Sequence, residues 1–203
     1  TYYSWQLYKG HGFEHTPLMH GPFQFHAIAA SYFLFGASDA TARIPSALFG
    51  VAAVGLVYAF RSRLGRSAAL CAGILMLISP FLVYYSRYVR NESFVVVWAL
   101  LMVLATFRYS ESRNPLWLYV MAGVMAHNHA TKEVAFIYDA IWLLFLGWIC
   151  IRDVLGIEWA RERLKNAFRI LIVVGGVSMA LAAASYGWGD EVAARYMDVE
   201  ERV

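Results

Sequence analysis

Charge is scarce in this chain. Only 15% of its 203 residues are Asp, Glu, Lys or Arg, against about 25% in ordinary globular chains. Hydrophobic residues make up 60% and the mean hydropathy is +0.51, which excludes a conventional soluble domain and indicates a polytopic membrane protein. The net charge of +3 is small and dispersed, so nucleic acid is excluded as a partner. Cysteine is nearly absent: Cys71 and Cys150 lie in separate apolar runs without CxxC spacing, which excludes a disulfide framework or a cysteine-based metal knuckle and leaves them as small core residues. There is no internal repeat and no low-complexity tract. The chain opens on Thr1 with no basic segment leading into an apolar one, so no signal peptide is read and the chain is taken as a fragment.

Apolar runs set the organisation. Residues 1–22 mix aromatics with His11, His15, His20 and three glycines, a pattern too polar and punctuated to cross a bilayer, and read as an outer-face loop. The run FQFHAIAASYFLF that follows is too short to span, which predicts an interfacial or re-entrant juxtamembrane helix over 23–36. A helical membrane domain over 37–187 comes next, with Ser38 or Asp39 as the cap of its first helix. Spans are expected at 42–60, 67–83, 94–107, 116–127, 134–151 and 170–186, leaving an outer-face tail at 188–203 that suits the start of a further region. The expected fold class is therefore all-α, a transmembrane bundle of about six spans with a juxtamembrane helix.

Orientation follows from the charge bias of the loops. One set, around RSRLGR and the later basic links, carries ten Lys and Arg against four Asp and Glu, a net of +6. The remaining seven basic and ten acidic residues give the other side −3. The first side is read as cytoplasmic, which gathers the residues around His20, the stretch 84–93, the HNHATKE segment and the tail on the outer face.

Three polar clusters on that face are candidates for chemistry. In HTPLMHGPF, His20 could meet an anionic headgroup, His15 could ligate a metal, and a merely solvated turn is the competing reading. The charged break SPFLVYYSRYVRNESF places Arg87 and Arg90 on one face if it is helical, beside Glu92. Two guanidiniums suit phosphate oxygens, and a carboxylate beside them could hold a cation, orient a hydroxyl or act as a base; a network that only caps helices is the alternative. In AHNHATKE, Lys132 offers a point charge to a lipid phosphate, while His129 and Glu133 join His15 as metal-ligand candidates. That metal reading needs a loop, because His127 and His129 do not share a helix face. Asp139, inside a span, is taken as packing, snorkelling or paired with Lys132.

The segments HGPF, FGASDATARIPSALFG, SPFLVYYSRYVRNESF and TKE, in this order, resemble the membrane-embedded glycosyltransferases of the GT-C superfamily, in particular the bacterial and archaeal branch of the dolichyl-phosphate-mannose protein mannosyltransferases. The resemblance implies transfer of a sugar from a polyprenyl-phosphate carrier to an acceptor on the outer face of a prokaryotic plasma membrane. By the same resemblance His20, Arg87, Arg90 and Lys132 contact the carrier phosphate, and Glu92 stands where relatives usually have Asp, as a second acid. The main base of such enzymes belongs to an Asp-Glu pair expected upstream of Thr1; Glu14 does not match it. A divalent metal is a candidate cofactor. Candidate partners are the lipid-linked sugar, membrane lipid and other subunits of a membrane complex. The competing functions are a non-catalytic scaffold that keeps the transferase-like fold, and a lipid-linked sugar flippase, which the scarcity of ionisable groups within the spans disfavours.

Overall fold

The computed structural model describes the backbone of residues 1–12, 20–159 and 161–200, and side chains as far as residue 181. Among the described residues the ordered structure is helical, with no strand. The helices are α1 (Tyr2–Tyr8), α2 (Phe23–Phe35), α3 (Asp39–Val57), α4 (Arg61–Leu64), α5 (Arg66–Ile78), α6 (Pro80–Ser86), α7 (Glu92–Ser112), α8 (Leu116–His129), α9 (Ala135–Gly156) and α10 (Glu162–Glu200). The chain divides into two units, Thr1–Leu144 and Phe145–Val203.

α3, extended by a 3-10 turn and α4 to Leu64, and α7, α9 and the first half of α10 are each long and apolar enough to cross a membrane. α5 and α6 are apolar enough to cross only as a pair, bent by 61° at the Ser79-Pro80 step, which makes them a broken span or a re-entrant loop. Pro80 has no N–H to continue the first helix and pushes Ser79 into extended backbone (ψ 119°), so the chain restarts with proline at the head of α6. The sixth expected crossing is α8, whose 14 residues rise only about 21 Å. It runs antiparallel beside α7, with Trp98 bonded to Thr131 at one end and Thr106 to Met121 at the other. The first residues, expected as loop, include the helix α1, which packs on α2.

The entry of α3 shows why the GASDATARIP sequence folds as it does. Gly36 takes φ +81°, a conformation costly for any residue with a Cβ. Ser38 then caps the helix in a reciprocal capping box with Thr41. Pro45 lies inside α3 and has no N–H to give the Thr41 carbonyl; the Ser31 hydroxyl of α2 donates to that carbonyl instead, at 2.7 Å. The helix defect thus becomes the seam between α2 and α3, beside a small core of Ile28, Tyr32 and Ala42.

Small residues bring the other helices together, as in membrane bundles generally. Ala53, Ala105 and Ala135 are fully buried, and a Cβ on Gly50 would sit 2.4 Å from the Ser86 Cβ, so α3 and α6 touch there only because Gly50 has none. Many large apolar side chains, among them Val51, Leu75, Ile141 and Leu144, point outward, as a lipid-facing surface requires. Cys71 and Cys150 lie on such exposed faces and not in the core. An apolar neighbourhood in sequence implies burial only in a water-soluble fold; here both faces of a helix are apolar.

Candidate functional site at the head of α7

Polar side chains collect at both ends of α7. At its C-terminal end Arg63 bonds Glu111 at 2.7 Å and stacks over Phe107. At the other end stand Arg90, Glu92 and Lys132. Glu92 and Glu111 are 19 helical positions apart, about 28 Å along the axis, close to the thickness of a hydrocarbon core.

The candidate site is the Glu92 end. Lys132 Nζ donates to Glu92 Oε1 at 3.0 Å, and Arg90 reaches the same carboxylate with two longer contacts of 3.3 and 3.4 Å. Glu92 and Lys132 are mostly sequestered, at 16% and 21% side-chain exposure, whereas Arg90 stands half in solvent. The bond to Glu92 pushes the Arg90 guanidinium further above its ordinary range, so it stays cationic.

Each member is placed by local structure. The threonine of TKE is buried: Thr131 Oγ1 donates to the His127 carbonyl at 2.6 Å and accepts from Trp98 Nε1 at 3.1 Å. That double bond fastens the end of α8 to α7 and sets the following Lys132 toward Glu92. The HGPF turn docks on the same point. Phe23 N donates to the Ala130 carbonyl at 2.8 Å, and Gly21 lies so close that a Cβ there would be 2.2 Å from that oxygen. Docking the turn brings His20 Nδ1 to 2.9 Å from Glu133 Oε2. The Glu133 carboxyl is held below its ordinary range, first by a hydrogen bond from its own backbone N–H and then by His20. Beneath the turn, Phe23, Phe49, Phe94, Trp98 and His127 meet edge to face or tilted, joining α2, α3, α7 and α8.

Two cavities share Glu92. The larger, about 500 Å³, has Lys132 and Glu92 at its polar end and Phe81, Val95, Val134, Ile137 and Ile141 among its walls. A smaller one of about 280 Å³ is lined by His20, Gln24, Arg90 and Asn91 as well as Glu92. Asn91 is buried and its Oδ1 has no hydrogen-bond partner, an unmet acceptor beside that cavity.

The structure thus brings His20, Arg90, Glu92, Lys132 and Glu133 together. Arg87 is elsewhere. It follows α6 in a non-helical turn, and together with Arg90 and Arg43 lines a third cavity, of about 330 Å³. Arg87 and Arg90 therefore meet through the turn and not through a shared helix face.

The described metal candidates, His129 and Glu133, are each paired with another side chain. Among the described residues no three His, Cys, Asp or Glu side chains are placed to hold an ion. α8 stays helical through His129, so the loop that a His127–His129 pair needs is missing. His127 turns to the Gly123 carbonyl at 2.7 Å. His129 Nε2 pairs with Asp139 Oδ2 at 2.5 Å, and Glu133 is taken by His20. His15 lies outside the described residues. Asp139 therefore pairs with His129 and not with Lys132, whose short reach is used on Glu92. Sequence reasoning missed this pair, though His129 and Asp139 are ten positions apart across a turn; it missed Arg43 because that residue is three helices away in the chain.

No curated protein and no solved structure matches the chain. The family description dolichyl-phosphate-mannose-protein mannosyltransferase matches residues 19–186, a stretch that holds HGPF, the Arg90–Glu92 corner and TKE, and the chain belongs to that family of integral-membrane glycosyltransferases, which use polyprenyl-phosphate-linked sugars.

Proposed function

We propose that this protein transfers a sugar from a polyprenyl-phosphate carrier to an acceptor on the outer face of a prokaryotic plasma membrane. The observation that carries the reading is the 500 Å³ cavity, whose walls are apolar and whose polar end is the Lys132–Glu92 pair. Such a cavity suits an amphiphile with a prenyl chain and a phosphate head: the chain lies against Val95, Ile137 and Ile141, and the phosphate sits at Lys132. Charge builds on that phosphate as the sugar leaves, and cations fixed beside it lower the barrier. Lys132 is the first of these, with Arg90 and His20 in the adjoining cavity as the next. Arg87, expected in the same role, is assigned none here because it opens elsewhere.

Glu92 in this reading keeps Lys132 and Arg90 in place and is the second acid beside the acceptor. The reading assigns no residue as the main base. The chemistry written for Lys132, Arg90 and His20 needs no metal, and the ligand set does not argue for one.

Binding of the carrier tests the reading. In purified protein, polyprenyl phosphate without sugar is expected to bind and to inhibit transfer competitively. Ile141→Trp, which narrows the apolar part of the cavity, should weaken that binding tenfold or more without touching the polar end. Binding unchanged by Ile141→Trp would remove the cavity from the proposal.

A further inference from the structure

The third cavity shares Val89 and Arg90 with the cavity beside the donor site, but its other lining residues are its own. It is lined by Thr1, Arg43, Arg87, Tyr88, Val89 and Arg90, three guanidiniums with no carboxylate among them. Arg90 is engaged by Glu92, but Arg43 and Arg87 are exposed and have no ion-pair partner among the described residues. Arginine forks left without a carboxylate are matched by the oxygens of a phosphate.

Arg87 also stands at the end of a separate apolar groove of about 420 Å³, walled by Val51, Val54, Gly55, Met76 and Leu82 among others. Along α3, Arg43, Ala47, Gly50 and Val54 fall at i, i+4, i+7 and i+11, one stripe of the helix. Arg43 therefore tops the same face that forms a wall of the groove. An apolar trough that runs from between α3, α5 and α6 to two arginines unpaired among the described residues has the polarity of a lipid: chain below, anionic head above.

We propose that Arg43 and Arg87 bind the phosphate of an anionic lipid whose chain occupies the groove between α3, α5 and α6, at a site separate from the donor cavity. Charge complementarity selects the occupant. A zwitterionic head brings an ammonium next to the two arginines, which a head of net charge −1 does not. The absence of a Cβ on Gly55 keeps α3 narrow where the chain would lie, while Gly50 holds α6 close beside it. At Gly55 an added Cβ meets nothing within 4 Å, so a larger side chain can be introduced there without a backbone clash.

The test is equilibrium binding to the purified chain in neutral detergent, with short-chain phosphatidylglycerol as probe and phosphatidylcholine of the same chains and inorganic phosphate as comparisons. Phosphatidylglycerol should bind at least tenfold more tightly than either. The double substitution Arg43→Ala with Arg87→Ala should weaken it tenfold or more. Gly55→Leu should weaken phosphatidylglycerol while leaving inorganic phosphate unchanged, and it decides the question if the arginine variant does not fold. Lys132→Ala should leave phosphatidylglycerol binding as it was, whatever it does to sugar transfer. The proposal is overturned if phosphatidylcholine or inorganic phosphate binds as well as phosphatidylglycerol, or if the arginine substitutions have no effect. It is equally overturned if Lys132→Ala removes the binding, since the lipid would then lie in the donor cavity.

Discussion

Lys132 Nζ and Glu92 Oε1 meet at 3.0 Å across 40 residues of chain, at the polar end of an otherwise apolar cavity. Both groups are mostly withdrawn from water, so removing one leaves the other as a poorly compensated charge. Glu92→Gln keeps the shape and removes the charge that holds Lys132 and Arg90. It should reduce sugar transfer by about tenfold to a hundredfold through loss of cation placement. The fall should appear mainly in kcat, measured at saturating lipid-linked sugar, with the far-ultraviolet spectrum unchanged.

Gly21 sits under the Ala130 carbonyl, where a Cβ would be 2.2 Å from the oxygen. Gly21→Ala must push the HGPF turn off the end of α8, which breaks the hydrogen bonds from Phe23 N to Ala130 O and between His20 and Glu133. The expected destabilisation is about 1–3 kcal/mol, the range for forced overpacking, read as a lower unfolding midpoint in detergent. A midpoint equal to that of the unsubstituted protein would show that the turn is not held this way.

Ser31 supplies the hydrogen that Pro45 cannot. Ser31→Ala should leave the Thr41 carbonyl without its donor, at a cost of about 1–3 kcal/mol for a buried unmet group. Pro45→Ala returns a backbone N–H to the same carbonyl. In that background Ser31→Ala should cost measurably less, and a double-mutant cycle on unfolding free energies reads the difference.

Acid should weaken the His20–Glu133 corner through Glu133. Its carboxyl is held below the ordinary value of 4.5 by its own backbone N–H and by His20. A carboxyl with a lowered folded value adds stability that is complete above its ordinary value and disappears as pH falls through the folded one. The unfolding midpoint of the unsubstituted protein should therefore exceed that of Glu133→Gln by its full margin above the ordinary carboxyl value of 4.5, and the margin should close as pH falls below that value.

Much of this architecture is written locally in the chain. The cap at Ser38 and the juxtamembrane length of α2 follow from residues within one or two turns of each other, whereas the span expected over 67–83 is broken at Pro80. The grouping of His20, Arg90, Glu92 and Lys132 was legible too, because the bias of Lys and Arg among the loops assigns these particular polar breaks to one side. What was hidden depended on distance or on direction. Arg43 joins Arg87 only once α3 packs on α6. His129 and Asp139 separated from the metal and Lys132 readings because α8 continues as helix two residues further than its polarity suggests. The outward faces of Cys71 and Cys150 were invisible because an apolar run carries no mark distinguishing lipid from core.

In the proposed function Lys132 faces the phosphate of a lipid-linked sugar. The most direct measurement of this contact is transfer from polyprenyl-phosphate-linked mannose in proteoliposomes, comparing the unsubstituted protein with Lys132→Met, which keeps the stem of the side chain and removes the cation. A loss of about a hundredfold in rate is expected, with the protein still folded and inserted. Transfer by Lys132→Met at the unsubstituted rate would contradict this role of Lys132.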